Sequence, residues 1–119
     1  MNASTFHVRL LCASLICSTI PAAYGSLTPG WTPPLTIKSI IVQDDGAIVV
    51  INGGVPTAYL RDDCNSSSFN FIDLGTPQGK SKLATAIAAY TTGQPVQLAL
   101  QACNAGRPMI THILVGAGL

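Results

Sequence analysis

Glutamate is absent from this 119-residue chain, and charge of either sign is scarce. Six Lys and Arg stand against five acids, all of them Asp, and charged residues make up only 9% of the total. A protein that grips nucleic acid or an anionic membrane through counterion release needs a basic stripe. Lys38, Arg61, Lys80, Lys82 and Arg107 are too few and too scattered to make one, so neither partner is expected. Histidine is as rare, with His7 and His112 alone, and no His, Cys and Asp residues share a metal-ligand spacing. There is no glycine-rich phosphate loop either. No metal and no organic cofactor are expected. A membrane-spanning helix needs about 20 apolar residues, whereas the apolar stretch Leu10 to Ala23 has 14, so membrane insertion is not expected.

That stretch has another reading. It follows a segment whose one cation is Arg9 and which holds no acid. Pro21 breaks its end, and Ala23-Tyr24-Gly25 places small residues at the two positions a signal peptidase inspects. Residues 1–25 are therefore read as a cleavable secretory signal, cut after Gly25, with the product secreted or periplasmic. A lipoprotein signal would put a small residue just before its Cys, but Leu11 precedes Cys12 and Ile16 precedes Cys17, so no lipid anchor is expected. Cleavage leaves about 94 residues with one cysteine pair, Cys64 and Cys103. In an oxidising compartment an even pair is expected to be bridged. The bridge closes a loop of 39 residues, which on chain-entropy grounds contributes roughly 4 kcal/mol. A domain this small has a thin core, so the bond carries weight. The mature chain is also electrically neutral, with five cations and five acids. It lacks the self-repulsion that keeps monomers apart, which leaves a homo-oligomer open.

Residues 26–35 hold three of the chain's prolines with one glycine and read as an extended lead-in, with Trp31 as its anchor. A single domain then fills residues 36–119. Thr36 to Gln43 is rich in β-branched residues and predicts a strand; Asp44-Asp45-Gly46 supplies an Asp-Gly hairpin turn, and Ala47 to Asn52 returns as a second strand. No acid follows at the later positions of a calcium loop, so the Asp pair is turn chemistry. Residues 53–67 are glycine-led, polar and without period, although Pro56 to Leu60 could continue the second strand past the glycines. Asn65-Ser66-Ser67 has the form of an N-glycosylation acceptor and is read as a loop signal. Ser68 to Leu74 alternates, with Phe69 and Phe71 on one face. Thr76-Pro77 reads as an N-cap with proline at the first helical position. The helix runs to Thr92, with Leu83, Ala84, Ile87, Ala88 and Tyr90 expected as its inward stripe. Val96 to Ala102 alternates strictly as a half-buried strand, Asn104 to Pro108 makes a turn, and Met109 to Val115 is the last strand.

Three strands, a helix and two strands form the element order of an OB-fold-like five-stranded barrel, β-β-β-α-β-β. An open antiparallel α+β sandwich uses the same elements. The stretch Ala86-Ile87-Ala88-Ala89-Tyr90-Thr91-Thr92-Gly93-Gln94-Pro95-Val96 resembles the helix-to-strand passage of subtilase-cytotoxin-type B subunits. The whole mature layout is similar to that of small uncharacterised secreted bacterial proteins. The cytotoxin likeness covers about 20 residues and implies an OB-like domain that assembles as a pentameric ring and binds glycans. The disulfide position and the loop after the second strand depart from that family, so none of its glycan-binding residues carries over.

Two functional classes follow, with a third behind them. One is a secreted, non-catalytic binding module, glycan-binding and B-subunit-like, with Tyr59, Arg61, Asp62 and Asn65 of the long loop as candidate ligand contacts. Aromatic and short polar groups suit a hydroxyl-rich ligand, and long loops are where function concentrates. The second is a structural or protein-interaction role in the periplasm or outside the cell. The third is inhibition of a secreted hydrolase. Catalysis is not expected, and no catalytic residue is assigned. The cysteines are spent on each other, His112 alternates with Ile110 and Leu114 on a strand, and the adjacent Asp62 and Asp63 would point to opposite faces. Under denaturing, non-reducing conditions the exported protein is expected to show no titratable thiol, and two after reduction. Two thiols before reduction would remove the disulfide from the fold.

Overall fold

A computed structural model describes residues 30–61 and 63–116. The proposed signal lies outside these residues. Five strands and one helix follow in order: β1 (Ile37–Val42), β2 (Gly46–Ile51), β3 (Phe69–Asp73), α1 (Pro77–Thr92), β4 (Val96–Asn104) and β5 (Arg107–Val115). The sheet order is β1-β2-β3-β5-β4. All neighbouring pairs are antiparallel except β3 and β5, which meet in parallel at Phe71 and Met109. β1 and β4 are the edges of the sheet, which the named strands leave open rather than closed as a barrel.

The two edges are nevertheless joined by the lead-in. Leu35 and Val96 form an antiparallel bridge, with Leu35 N–H donating to Val96 O at 2.7 Å and Val96 N–H to Leu35 O at 2.8 Å. Thr32 N–H donates to Leu98 O, and its buried hydroxyl accepts from Leu98 N–H, both at 2.9 Å. The prolines of this segment keep it extended, so it can lie along β4 and satisfy backbone groups that an edge strand would leave open.

Both hairpins depart from the sequence expectation for local reasons. In the first, Gln43 N–H donates to Gly46 O at 2.7 Å across Asp44 and Asp45, and Gly46 already belongs to β2. Its glycine serves close approach rather than turn conformation: a Cβ there would overlap the Phe71 ring and the Ile72 carbonyl. In the second, β4 and β5 run two residues further than expected on either side, and Ala105-Gly106 alone makes the turn, with φ of 49° and 77°. Positive φ at both central residues is the signature of the tight hairpin turn that matches strand twist. Pro108 remains in β5 opposite Cys103, one position beyond the pair that closes the turn, where no N–H is called on. Pro56 to Leu60 does not extend β2; Thr57–Tyr59 forms a single 3₁₀ turn.

The helix has the limits that its end signals predict. Thr76 Oγ1 accepts from Gly79 N–H at 3.0 Å, and Pro77 occupies the first position. At the other end Gly93, with φ of 67°, donates to Tyr90 O while Gln94 donates to Ala89 O, the paired bonds of a Schellman cap. Its rotation is different from the expected one. Gly79, Ala86 and Ala89 are buried and Leu83 is half-buried, whereas Ile87 and Tyr90 are 43% and 48% exposed and Ala84 and Ala88 face solvent. The cause is the short link from β3, which sets the first helical turn directly against the end of that strand. A Cβ on Gly79 would collide with the Asp73 carbonyl. The small side of the helix must therefore face the sheet, where Ala86 and Ala89 join Val49, Ile51, Ile72 and Leu98 in the main core.

Gly79→Ala consequently tests the packing against intrinsic propensity. Alanine favours a helix by up to about 1 kcal/mol over glycine, yet overpacking here is expected to give a net loss of about 1–3 kcal/mol in denaturant unfolding. A stabilised variant would refute this account of the helix rotation.

Candidate functional site

β2 reads Gly-Ala-Ile-Val-Val-Ile and is buried along its whole length. Ala47, Val49 and Ile51 enter the main core. Ile48 and Val50 point to the opposite, outer face, where they form a second cluster with Phe71, and Met109 packs against it. Strand alternation and register extend this face to Ser39 and Ile41 of β1 and to Phe69 of β3. Ile41 and Phe69 are 41% and 45% exposed, so the face is an apolar strip with an accessible aromatic at one end.

Phe71, at the centre of the strip, is 2% exposed. Its ring edge packs close against Gly46, and the Arg107 guanidinium carbon sits 4.7 Å from its centroid. Such a cation–π contact contributes about 0.5–2 kcal/mol, more as it is desolvated. Arg107 is held in place by its fork of donors. Nε–H donates to Asn104 O at 3.2 Å, Nη2 to Asn104 Oδ1 at 3.0 Å and Nη1 to Gln43 Oε1 at 3.3 Å. The β1–β2 turn and the β4–β5 turn thus meet above the strip through Gln43, Asn104 and Arg107. Chemically this is a surface that can stack a flat or apolar ligand face and offer amide and guanidinium groups at its rim.

The four loop residues singled out in the sequence are dispersed. Tyr59 is half-buried and packs against the main core. Arg61 is exposed and its Nε donates to Asp63 Oδ1 at 3.1 Å, an ion pair in solvent that contributes little. Asp62 lies outside the described residues. Asn65 is brought to the second hairpin: its N–H donates to Gly106 O at 2.9 Å, as does that of Ser66 at 3.1 Å, and a Cβ on Gly106 would overlap the Asn65 amide. Ser66 Oγ in turn accepts from Phe69 N–H at 3.1 Å. Asn65 therefore sits against the second hairpin turn, at the residue before Arg107, while Tyr59 packs against the core.

Cys64 and Cys103 are bonded, with Cα atoms 5.6 Å apart, within the ordinary span of a disulfide. The bond ties the long loop to the end of β4. Asp63 brings a carboxylate near the two sulfurs, but sulfurs already joined to each other are poor metal donors. His112 is exposed, edge-on to Trp31 at 6.0 Å between ring centroids, with Nδ1 3.2 Å from Thr111 Oγ1.

Gln43, Asn104, Arg107 and Phe69 were not singled out as ligand contacts from the sequence. One signal pointed towards their face: an unbroken apolar run in β2 means that both sides of the strand are covered. Compared with known proteins, the chain matches no family model, no curated protein sequence and no solved structure.

Proposed function

We propose that this protein is an exported, non-catalytic binding module that holds a glycan across the outer face of β1, β2 and β3. The observation that carries the reading is the exposed Phe69 beside the enclosed Phe71–Arg107 pair, rimmed by Gln43 and Asn104. A sugar presents an apolar C–H face and a belt of hydroxyls. Phe69 suits the first, and the rim amides and guanidinium suit the second. Asn65 and Arg61 of the long loop are the nearest further contacts in this reading, on the side of the second hairpin.

An OB-like architecture is part of the same proposal. The strand order β1-β2-β3-β5-β4, the helix between β3 and β4, and the Leu35–Val96 bridge between the edges all support it. OB-folds are partly open barrels that bind oligosaccharides and oligonucleotides on the face of strands two and three, between the first and last hairpin loops. The scarcity of cations favours the sugar over the nucleic acid. The likeness of Ala86 to Val96 to cytotoxin B subunits points to the same ligand class. For export, the support is the disulfide, which persists in oxidising compartments, together with the signal-like N-terminus. Among the described residues no helix is long and apolar enough to cross a membrane.

An oligosaccharide array probed with the purified protein tests the ligand class, and titration of the best glycan against Phe69→Ala tests the site. Loss of an aromatic anchor is expected to weaken binding at least tenfold, about 1.4 kcal/mol or more. The half-exposed position should leave the unfolding midpoint nearly unchanged. An array without signal would sink the glycan reading, and undiminished binding by Phe69→Ala would sink the site.

A further inference from the structure

The two edges of the sheet are treated differently. Residues 32–35 cover the start of β4, but among the described residues no strand lies beside the outer edge of β1. Natural edges are guarded by inward charges, prolines or bulges. β1 has a register irregularity between Ile37 and Ser39 and a lysine at position 38, and then nothing of the kind from Ser39 to Val42. Ile41 and Val42 are 41% and 63% exposed.

The backbone phase of this edge can be read from the hairpin. The Gln43–Gly46 bond closes the turn, and bonded pairs alternate along an antiparallel ladder. Ile41 and Ser39 therefore bond to β2, and Ile40 and Val42 direct their N–H and C=O groups outward. We propose that this edge docks the β1 of a second copy of the chain, antiparallel, on a two-fold axis through Ile41.

Charge complementarity selects the partner and the register. Centred on Ile41, the pairing sets Ile40 of each copy opposite Val42 of the other, so the outward groups of all four residues bond. Ile41 meets its own counterpart in a non-bonded pair, with Cα atoms about 4.5 Å apart. Lys38 then faces Asp44 of the other copy, with Asp45 beside it, twice over by symmetry. Lys38, Asp44 and Asp45 take part in no ion pair among the described residues. Centring on Ile40 would oppose Lys38 to Val42 and leave the charges unmatched. The neutral mature chain offers no net repulsion to such a contact. Residues paired across an antiparallel ladder share a face, so the joined sheet carries both outer faces on one side. Any bivalency for sugars that follows rests on the glycan reading; the dimer does not.

Light scattering coupled to size exclusion is expected to give a dimer. Ile41→Cys should cross-link into a covalent dimer under mild oxidation, beyond the level of the unsubstituted protein. Ser39→Cys, which faces Gln43 in this register, should not. Lys38→Asp is expected to weaken association at least tenfold, and the exchange Lys38→Asp with Asp44→Lys to restore it. Lys38, Ile41 and Asp44 are exposed and Ser39 is half-buried, and circular dichroism verifies that each variant is folded. A monomer throughout the accessible concentration range, a ring larger than a dimer, or cross-linking through Ser39→Cys but not Ile41→Cys would each overturn the proposal. So would failure of the charge exchange to rescue. Glycan binding by a monomer would overturn the dimer while leaving the ligand reading intact.

Discussion

The bond between Cys64 and Cys103 joins the two parts of the chain that ordinary packing would hold least well. On one side is a loop whose Val55, Tyr59 and Leu60 pack into the core but whose residues beside Cys64, Asp63 and Asn65, are polar and exposed; on the other is the far end of a hairpin. A closed loop of 39 residues contributes roughly 4 kcal/mol by restricting the unfolded chain, a large part of the 5–15 kcal/mol that separates folded from unfolded states in typical domains. Its local consequence is as important. With Cys103 fixed, Asn65 and Ser66 bond the Gly106 carbonyl, the tight turn at Ala105-Gly106 is seated, and Arg107 emerges over Phe71. The geometry of the outer face thus depends on a covalent tie on the far side of the turn.

That face raises a question of economy. Most sheets in small domains bury one side and hydrate the other, yet here Ile48, Val50 and Phe71 form an apolar cluster away from the helix. Arg107 covers part of it with its guanidinium group, and the absence of a side chain at Gly46 leaves room for the edge of the Phe71 ring. The cover stops short of Phe69 and Ile41. An enclosed aromatic next to an open one, bordered by amides from two hairpins, is a surface that stability alone does not require.

The helix shows how a backbone contact can overrule side-chain hydrophobicity. Burying Ile87 and Tyr90 would have removed more apolar area from water, at about 25 cal/mol per Å². The link from β3 is so short that Gly79 must rest on the Asp73 carbonyl, and a helix so close to the sheet buries the small Ala86 and Ala89, with Leu83 half-buried beside them. Proximity set the rotation, and the larger residues were left outside. The lead-in works in the opposite sense: its prolines forbid a helix, and Thr32 and Leu35 bond the backbone of β4.

Features that depend on near neighbours in the chain were legible beforehand. Thr76, Pro77 and Gly93 delimit the helix because caps are made within one turn of the helix end. The strand centres follow from period-two alternation, and the disulfide follows from a cysteine count. The limits of the second hairpin were missed because the sequence signal of Asn104 to Pro108 is that of a longer turn, and only pairing with β4 keeps Pro108 in a strand. The outer face was missed because its parts are remote: Gln43 and Arg107 are 64 residues apart, and only the sheet order brings them together. Tyr59 looked like a surface aromatic, but the 3₁₀ turn directs it to the core. Local chemistry therefore determined which elements form and where they end. Packing decided which way each of them faces, because the facing depends on contacts at distances the sequence does not record.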